Sequence, residues 1–128
     1  MEKKKILIIE DEAEMRALLT LHLQFHGYEV SGAMDGEHGL KEVKDSIPDL
    51  IILDVMLPGI GGYEVCERLK TDKHFSDIPI LMFSARAGDI DRTIGFRCGA
   101  DDYLPKPFED TLLMGKIERL LERHGEEN

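Results

Sequence analysis

Three short runs constrain this chain more than any other feature: "KILIIE" (5–10), "DLIILD" (49–54) and "IPILMFSA" (78–85). Each is apolar at successive positions and not at alternate ones, so as a strand it must be buried on both faces. None is long enough to cross a bilayer. Strands that need cover on both faces belong in the middle of a parallel sheet carrying helices on either side.

Two weaker strand patterns are "YEVSGA" (28–33) and "ADDYLPKP" (100–107). Helical patterns fill the intervals. The first covers about 12–26, with Met15, Leu18, Leu19 and Leu23 at helical spacing and Gly27 closing it. Others cover about 36–44, 62–71 and 89–98. The last begins near Glu109, with Leu112, Leu113, Ile117, Leu120 and Leu121 expected on one face. Gly99 and Gly125 stand where helix C-caps are expected. The sum is β-α repeated five times, an α/β fold with a doubly wound five-stranded parallel sheet. The expected organisation is one domain over 1–125 and a tail at 126–128, without repeat or low-complexity linker.

The formal net charge of −10 argues against direct nucleic-acid binding, which needs a positive surface to neutralise phosphates. It suits cations, or partners with basic patches. The basic start "MEKKK" is not followed by a signal-peptide core, so a cytoplasmic location and no membrane contact are expected. Cys66 and Cys98 form no CxxC pattern and read as reduced thiols on helices.

"DLIILDVMLPGIGG" ends its apolar run on Asp54 and follows it with one proline and three glycines. Burying a carboxylate costs on the order of several kcal/mol unless something pairs with it. In a sheet of order 2-1-3-4-5, ligands sit at the carboxyl ends of the strands where the winding direction switches, between the first and third strands. There Asp54 meets Glu10-Asp11-Glu12, and a cation is the simplest way to hold such acids together. Hard oxygen ligands suit Mg²⁺, or Mn²⁺. The plainer alternatives are a helix cap for residues 10–12 and a turn-forming aspartate at Asp54. Those explain the loop but not the gathering of charge. Small loop residues are expected to let the backbone pass close to a ligand.

Two further strand ends join the set. "MFSA" brings Ser84 to the same edge, and "YLPKPF" holds Lys106 between Pro105 and Pro107. Prolines on both sides restrict that lysine and make an X-Pro bond a candidate for the cis isomer. On the first helix His22 and His26 have a spacing able to bind zinc. No third ligand is evident near them in sequence, so they read as an ordinary helix flank.

With these motifs in order, the chain resembles a receiver domain of a two-component response regulator, the phosphoacceptor family typified by CheY. The likeness rests on Glu10-Asp11, "LDVMLPGIGG" around Asp54, "FSA" with Ser84, and "GADDYLPKPF" with Tyr103 and Lys106. It covers essentially the whole chain and implies a flavodoxin-like (βα)5 fold.

The resemblance implies that Asp54 accepts a phosphoryl group from a histidine kinase or a histidine phosphotransfer protein. It implies a metal held by Asp11, by Glu10 (often through water), by Asp54 and by the Met56 backbone carbonyl. Lys106 would pair with the phosphoryl group, Ser84 and Tyr103 would be the switch residues, and Lys106–Pro107 the cis peptide. The output face would be the fourth helix, fifth strand and fifth helix, read by a downstream effector protein or fused domain. A phosphorylation-dependent dimer through Arg92, Asp101, Asp102, Lys116 and Arg123 matches only in part, because Leu112 stands where an acid partner for Arg92 is expected. Glu10, Ser84 and Cys98 are mild departures from the family's commoner residues.

Such a protein is a phosphoacceptor and not an enzyme, beyond catalysing its own phosphorylation and dephosphorylation. The rival enzyme reading, an aspartyl-phosphate phosphohydrolase of the haloacid dehalogenase type, needs an acid two residues after the nucleophile. Met56 stands there and cannot transfer protons. A receiver-like scaffold that is never phosphorylated is the other alternative, and such scaffolds usually lack a site residue.

Overall fold

The computed structural model describes residues 2–84 and 98–126. The elements run β1 (Lys5–Ile9), α1 (Ala13–Phe25), β2 (Glu29–Ala33), α2 (Gly36–Asp45), β3 (Leu50–Asp54), α3 (Gly62–Lys70), β4 (Ile80–Ser84), β5 (Asp102–Pro105) and α4 (Asp110–Glu126). The helix expected over about 89–98 falls mainly outside the described residues, as does Arg92.

All strand pairs are parallel and the order is β2-β1-β3-β4-β5. The three continuous apolar runs are therefore the central strands and the two weaker patterns are the edges. Every residue of β3 and β4 is buried, while β2 is mostly open. Strand side chains alternate between two cores. Leu7, Ile9, Ile51, Leu53, Ile80 and Met82 pack with Val43, Val65 and Leu69 of α2 and α3. On the other face, Ile6, Ile8, Leu50, Ile52, Leu81 and Phe83 pack with Leu19 and Leu23 of α1 and with Leu113 and Ile117 of α4.

Three expectations change. Leu18 and Leu112 lie outside the core, 44% and 41% exposed, because each helix packs on the sheet along a stripe narrower than its apolar pattern. Gly125 does not cap the last helix, which continues through it to Glu126. The turn-rich connection over residues 70–79 is tied down by Lys70, whose Nζ donates to the carbonyls of Ile78 (2.8 Å) and Ser76 (3.2 Å) and pairs with Asp101 at 2.9 Å.

Candidate functional site at the carboxyl edge of the sheet

Parallel winding lines up the carboxyl ends of β1, β3, β4 and β5. β1 stops at Ile9, so Glu10 and Asp11 follow directly, and β3 ends on Asp54 itself. Glu10 is 1% and Asp54 3% exposed. Asp11 lies open, and one carboxylate oxygen from each of Glu10, Asp11 and Asp54 lies within 4.8 Å of the other two.

Local hydrogen bonds aim these groups. The Glu10 N–H donates to Ala33 O at 3.1 Å, and Glu10 Oε2 accepts from the Glu12 N–H at 3.1 Å. Asp54 Oδ1 accepts from the Met56 N–H at 3.2 Å. Arg16, not singled out from the sequence, donates through Nη1 to Glu10 O at 2.7 Å and to Asp11 O at 3.5 Å. Its sequence signal is slight: it is the one cation within the first turns after the acidic run. Glu12 stands apart as the α1 N-cap, with no side-chain capping bond. The cap explanation therefore covers Glu12 by position alone and leaves Glu10 and Asp11 to the acid cluster.

Lys106 closes the cluster. Its N–H donates to Ser84 O at 2.6 Å, and the Lys106–Pro107 peptide is cis. Its Nζ lies 2.5 Å from Glu10 Oε1, 3.4 Å from Asp54 Oδ2 and 3.9 Å from Glu12 Oε1, and sits 5.0 Å above the Phe83 ring. Burial by itself would lower the ammonium's pKa, but its contacts with Glu10 and Asp54 outweigh that and hold it raised. Asp54 moves the other way from an ordinary carboxyl: burial, then the charge of Glu10, push it up to about 7 despite Lys106 and the Met56 N–H. One ammonium does not neutralise three clustered carboxyls. The set is all hard oxygen, which fits a magnesium-type cation.

Ser84 is fully buried at the end of β4, one residue beyond Phe83, which is paired with Asp54. Tyr103 sits opposite Met82 on β5 and is buried in the α2–α3 core. Met56 is 62% exposed, with its backbone beside Asp54 through the N–H contact above.

Among the glycines after Asp54, Gly62 makes room for the chain itself and not for a ligand. Gly59 has φ of +72°, a left-handed conformation. Gly62 packs against the chain itself, since a Cβ there would lie 2.2 Å from Asp54 O and 2.8 Å from Val55 Cα. The close approach is backbone on backbone.

The charge pattern expected at a dimer face is largely closed within the chain. Asp101 turns to Lys70 and accepts from the Ile80 N–H at 2.8 Å. Asp102 pairs with Lys116 at 2.9 Å and with Arg119, which the sequence reading missed. Burial alone would raise the Asp102 pKa, but Lys116, the Tyr103 N–H and Arg119 together hold it below the usual carboxylate range.

The family model described as the response regulator receiver domain matches residues 6–118. The chain is 44% identical over 124 residues to the transcriptional regulatory protein AfsQ1 of Streptomyces coelicolor, covering 96% of this chain and 53% of that protein. It is 42% identical over 119 residues to the DNA-binding dual master transcriptional regulator RpaA of Synechocystis, covering 93% and 49%. A CheY-like response regulator receiver domain protein from Methanospirillum hungatei superposes with a TM-score of 0.92 at 28% identity, covering 99% of this chain and 100% of that one. The chain thus spans about half the length of the curated relatives it matches.

Proposed function

Because the chain belongs to the response regulator receiver domain family, whose members serve phosphorelay signalling, we propose that Asp54 is its phosphoacceptor. The observation that carries this reading is the convergence of Lys106 and the Glu10–Asp11–Asp54 cluster at the winding switch point. In the proposed reaction an Asp54 oxygen attacks phosphorus in line with a donor imidazole of a histidine kinase or phosphotransfer protein. The O–P bond forms, the P–N bond breaks, and the imidazole leaves with the proton it carries. Lys106, already 3.4 Å from Asp54 Oδ2, is placed to pair with a phosphoryl oxygen. Glu10, Asp11, Asp54 and the Met56 carbonyl would hold Mg²⁺. When bound, the ion offsets charge on the transferring oxygens.

The test is incubation with acetyl phosphate and Mg²⁺, read by intact mass and site mapping. One added phosphoryl group on Asp54 is expected; sustained release of phosphate from many esters would instead support a phosphohydrolase. Mg²⁺ should also raise the melting temperature, because a cation that binds only the folded site stabilises it by mass action. Asp11→Ala should remove that dependence. An equal Mg²⁺ shift in both proteins would reduce the acids to a helix cap.

Ser84 and Tyr103 are the proposed switch. A phosphoryl group shifts a population only by interacting differently with two arrangements, and Ser84 is the one at the site edge. Ser84→Ala should still be phosphorylated yet lose most of the NMR response at residues 98–105 to beryllium fluoride. The same response in wild type and variant would make Ser84 an ordinary strand-end serine.

The output is proposed to reach an effector protein or fused domain through the face carrying β5 and α4. RpaA is by name DNA-binding, which narrows the expectation of no nucleic-acid partner to these residues alone. A net charge of −10 disfavours direct contact of these residues with DNA phosphates. No described helix is long and apolar enough to cross a membrane.

A further inference from the structure

The end of α1 and the start of α4 meet in a cluster that phosphoryl transfer does not use. His22 and His26, one helical turn apart, both meet Asp110, the first residue of α4. His22 Nδ1 lies 2.8 Å from Oδ1, and His26 Nε2 lies 3.5 Å from Oδ2. The sequence hid this third group because it comes 88 positions after His22. The three side chains are 37%, 36% and 44% exposed, and with Leu21 and Phe25 they line an open cavity. Ring edges stand beside both imidazoles: Phe108 is T-shaped to His22 at 5.2 Å, and Phe25 to His26 at 5.5 Å.

We propose that His22, His26 and Asp110 form a binding site for a borderline divalent transition-metal ion, zinc foremost, distinct from the hard-oxygen cluster at Asp54. Two imidazoles and one carboxylate are a set such ions favour, and solvent can supply the fourth ligand. Magnesium has little affinity for imidazole nitrogen.

Each nitrogen now meets its own carboxylate oxygen. An ion about 2.0–2.2 Å from all three donors draws the rings together, a rotamer adjustment that half-exposed side chains allow. Each ring must present an unprotonated nitrogen to the ion and carry its proton on the other ring nitrogen. The site does not depend on the phosphoacceptor reading.

The test is titration of Zn²⁺ into the 128-residue chain in saturating Mg²⁺, which occupies the acid cluster, with calorimetry and imidazole ¹H–¹⁵N shifts as readouts. Saturation at one equivalent is expected, with shifts at His22 and His26. His22→Gln and His26→Gln should each weaken binding by about tenfold or more, and Asp110→Asn by several-fold. His38→Gln is the control, because His38 also pairs with an aspartate, Asp35, at 2.7 Å, but has no second histidine a turn away. It should bind like wild type, and Ni²⁺ should bind more tightly than Mn²⁺. Unsaturable binding, unchanged affinity in the His22 and His26 variants, or loss in His38→Gln would each overturn the proposal. Because all three side chains are partly exposed, the metal-free variants should keep the wild-type melting temperature, which separates lost ligands from lost fold.

Discussion

Asp54→Asn is expected to abolish phosphoryl uptake and, at pH 8 without metal, to raise the melting temperature. The first effect follows from losing the nucleophile: a neutral amide does not attack phosphorus. The second follows from the environment of the carboxyl, which burial and Glu10 push from 3.8 up to about 7. Between about pH 4 and pH 7 the folded chain therefore holds a proton that the unfolded chain has released, and stability falls as pH rises through that window. Above about 7 the full penalty of a crowded carboxylate is present. One pKa unit is worth about 1.4 kcal/mol, so the penalty, already net of the Lys106 attraction, is on the order of 4 kcal/mol. A rise of several degrees is expected for a domain of this size.

The gain should be smaller at pH 5, where Asp54 in the folded wild type is already neutral. It should also shrink in saturating Mg²⁺, which relieves the same repulsion. Thermal melts of both proteins at the two pH values, with and without Mg²⁺, measure this directly. A variant less stable than wild type at pH 8 would show that Asp54 is held comfortably, and the crowding argument would fail. Wild-type phosphoryl uptake by the variant would move the phosphoacceptor elsewhere.

Gly62→Ala is expected to be the most damaging single methyl in the described structure. The added carbon would stand 2.2 Å from Asp54 O and 2.8 Å from Val55 Cα, and neither is a flexible side-chain end that can swing away. Relief requires moving the start of α3 or the end of β3. Moving α3 breaks the Gly62 N–H bond to Val55 O at 3.0 Å, and moving β3 displaces the Asp54 backbone. A loss of about 3 kcal/mol or more places this among the exceptional substitutions, with phosphoryl transfer falling alongside because the nucleophile shifts. Gly61→Ala supplies the contrast: it has an ordinary φ of −72°, and a Cβ there meets nothing within 4 Å. That variant should melt within about 0.5 kcal/mol of wild type, as surface substitutions do. Urea titration of the pair distinguishes backbone crowding from a general need for small residues in the loop. Equal losses in both would refute the crowding account.

The two glycines show why the loop was only half legible. The run after Asp54 announces irregular backbone, and that holds: Gly59 takes the positive φ. What the glycines make room for is invisible in sequence, because the neighbour of Gly62 is set by how α3 docks on β3. Leu18 and Leu112 teach the same lesson about helices. Their spacing puts them in the apolar pattern, yet the exposed position of each depends on the docking angle against the sheet.

The chain's own pattern determined which runs are central strands, since residues 6–9, 50–53 and 80–83 are apolar at successive positions and only a strand covered on both faces can bury them all. It also showed a misplaced carboxylate at Asp54, because the cost of burying that charge is local and independent of what lies across the sheet. The tertiary structure decided which groups meet that charge. Glu10, Asp54 and Lys106 come together because the winding reverses between β1 and β3 and parallel register aligns their carboxyl ends. Arg16 on the acidic loop's carbonyls, Asp102 with Arg119, and Asp110 between two histidines arise the same way. Periodicity records how each segment faces a core. Pairs formed across long stretches of chain depend on strand order and helix docking, to which no local pattern answers.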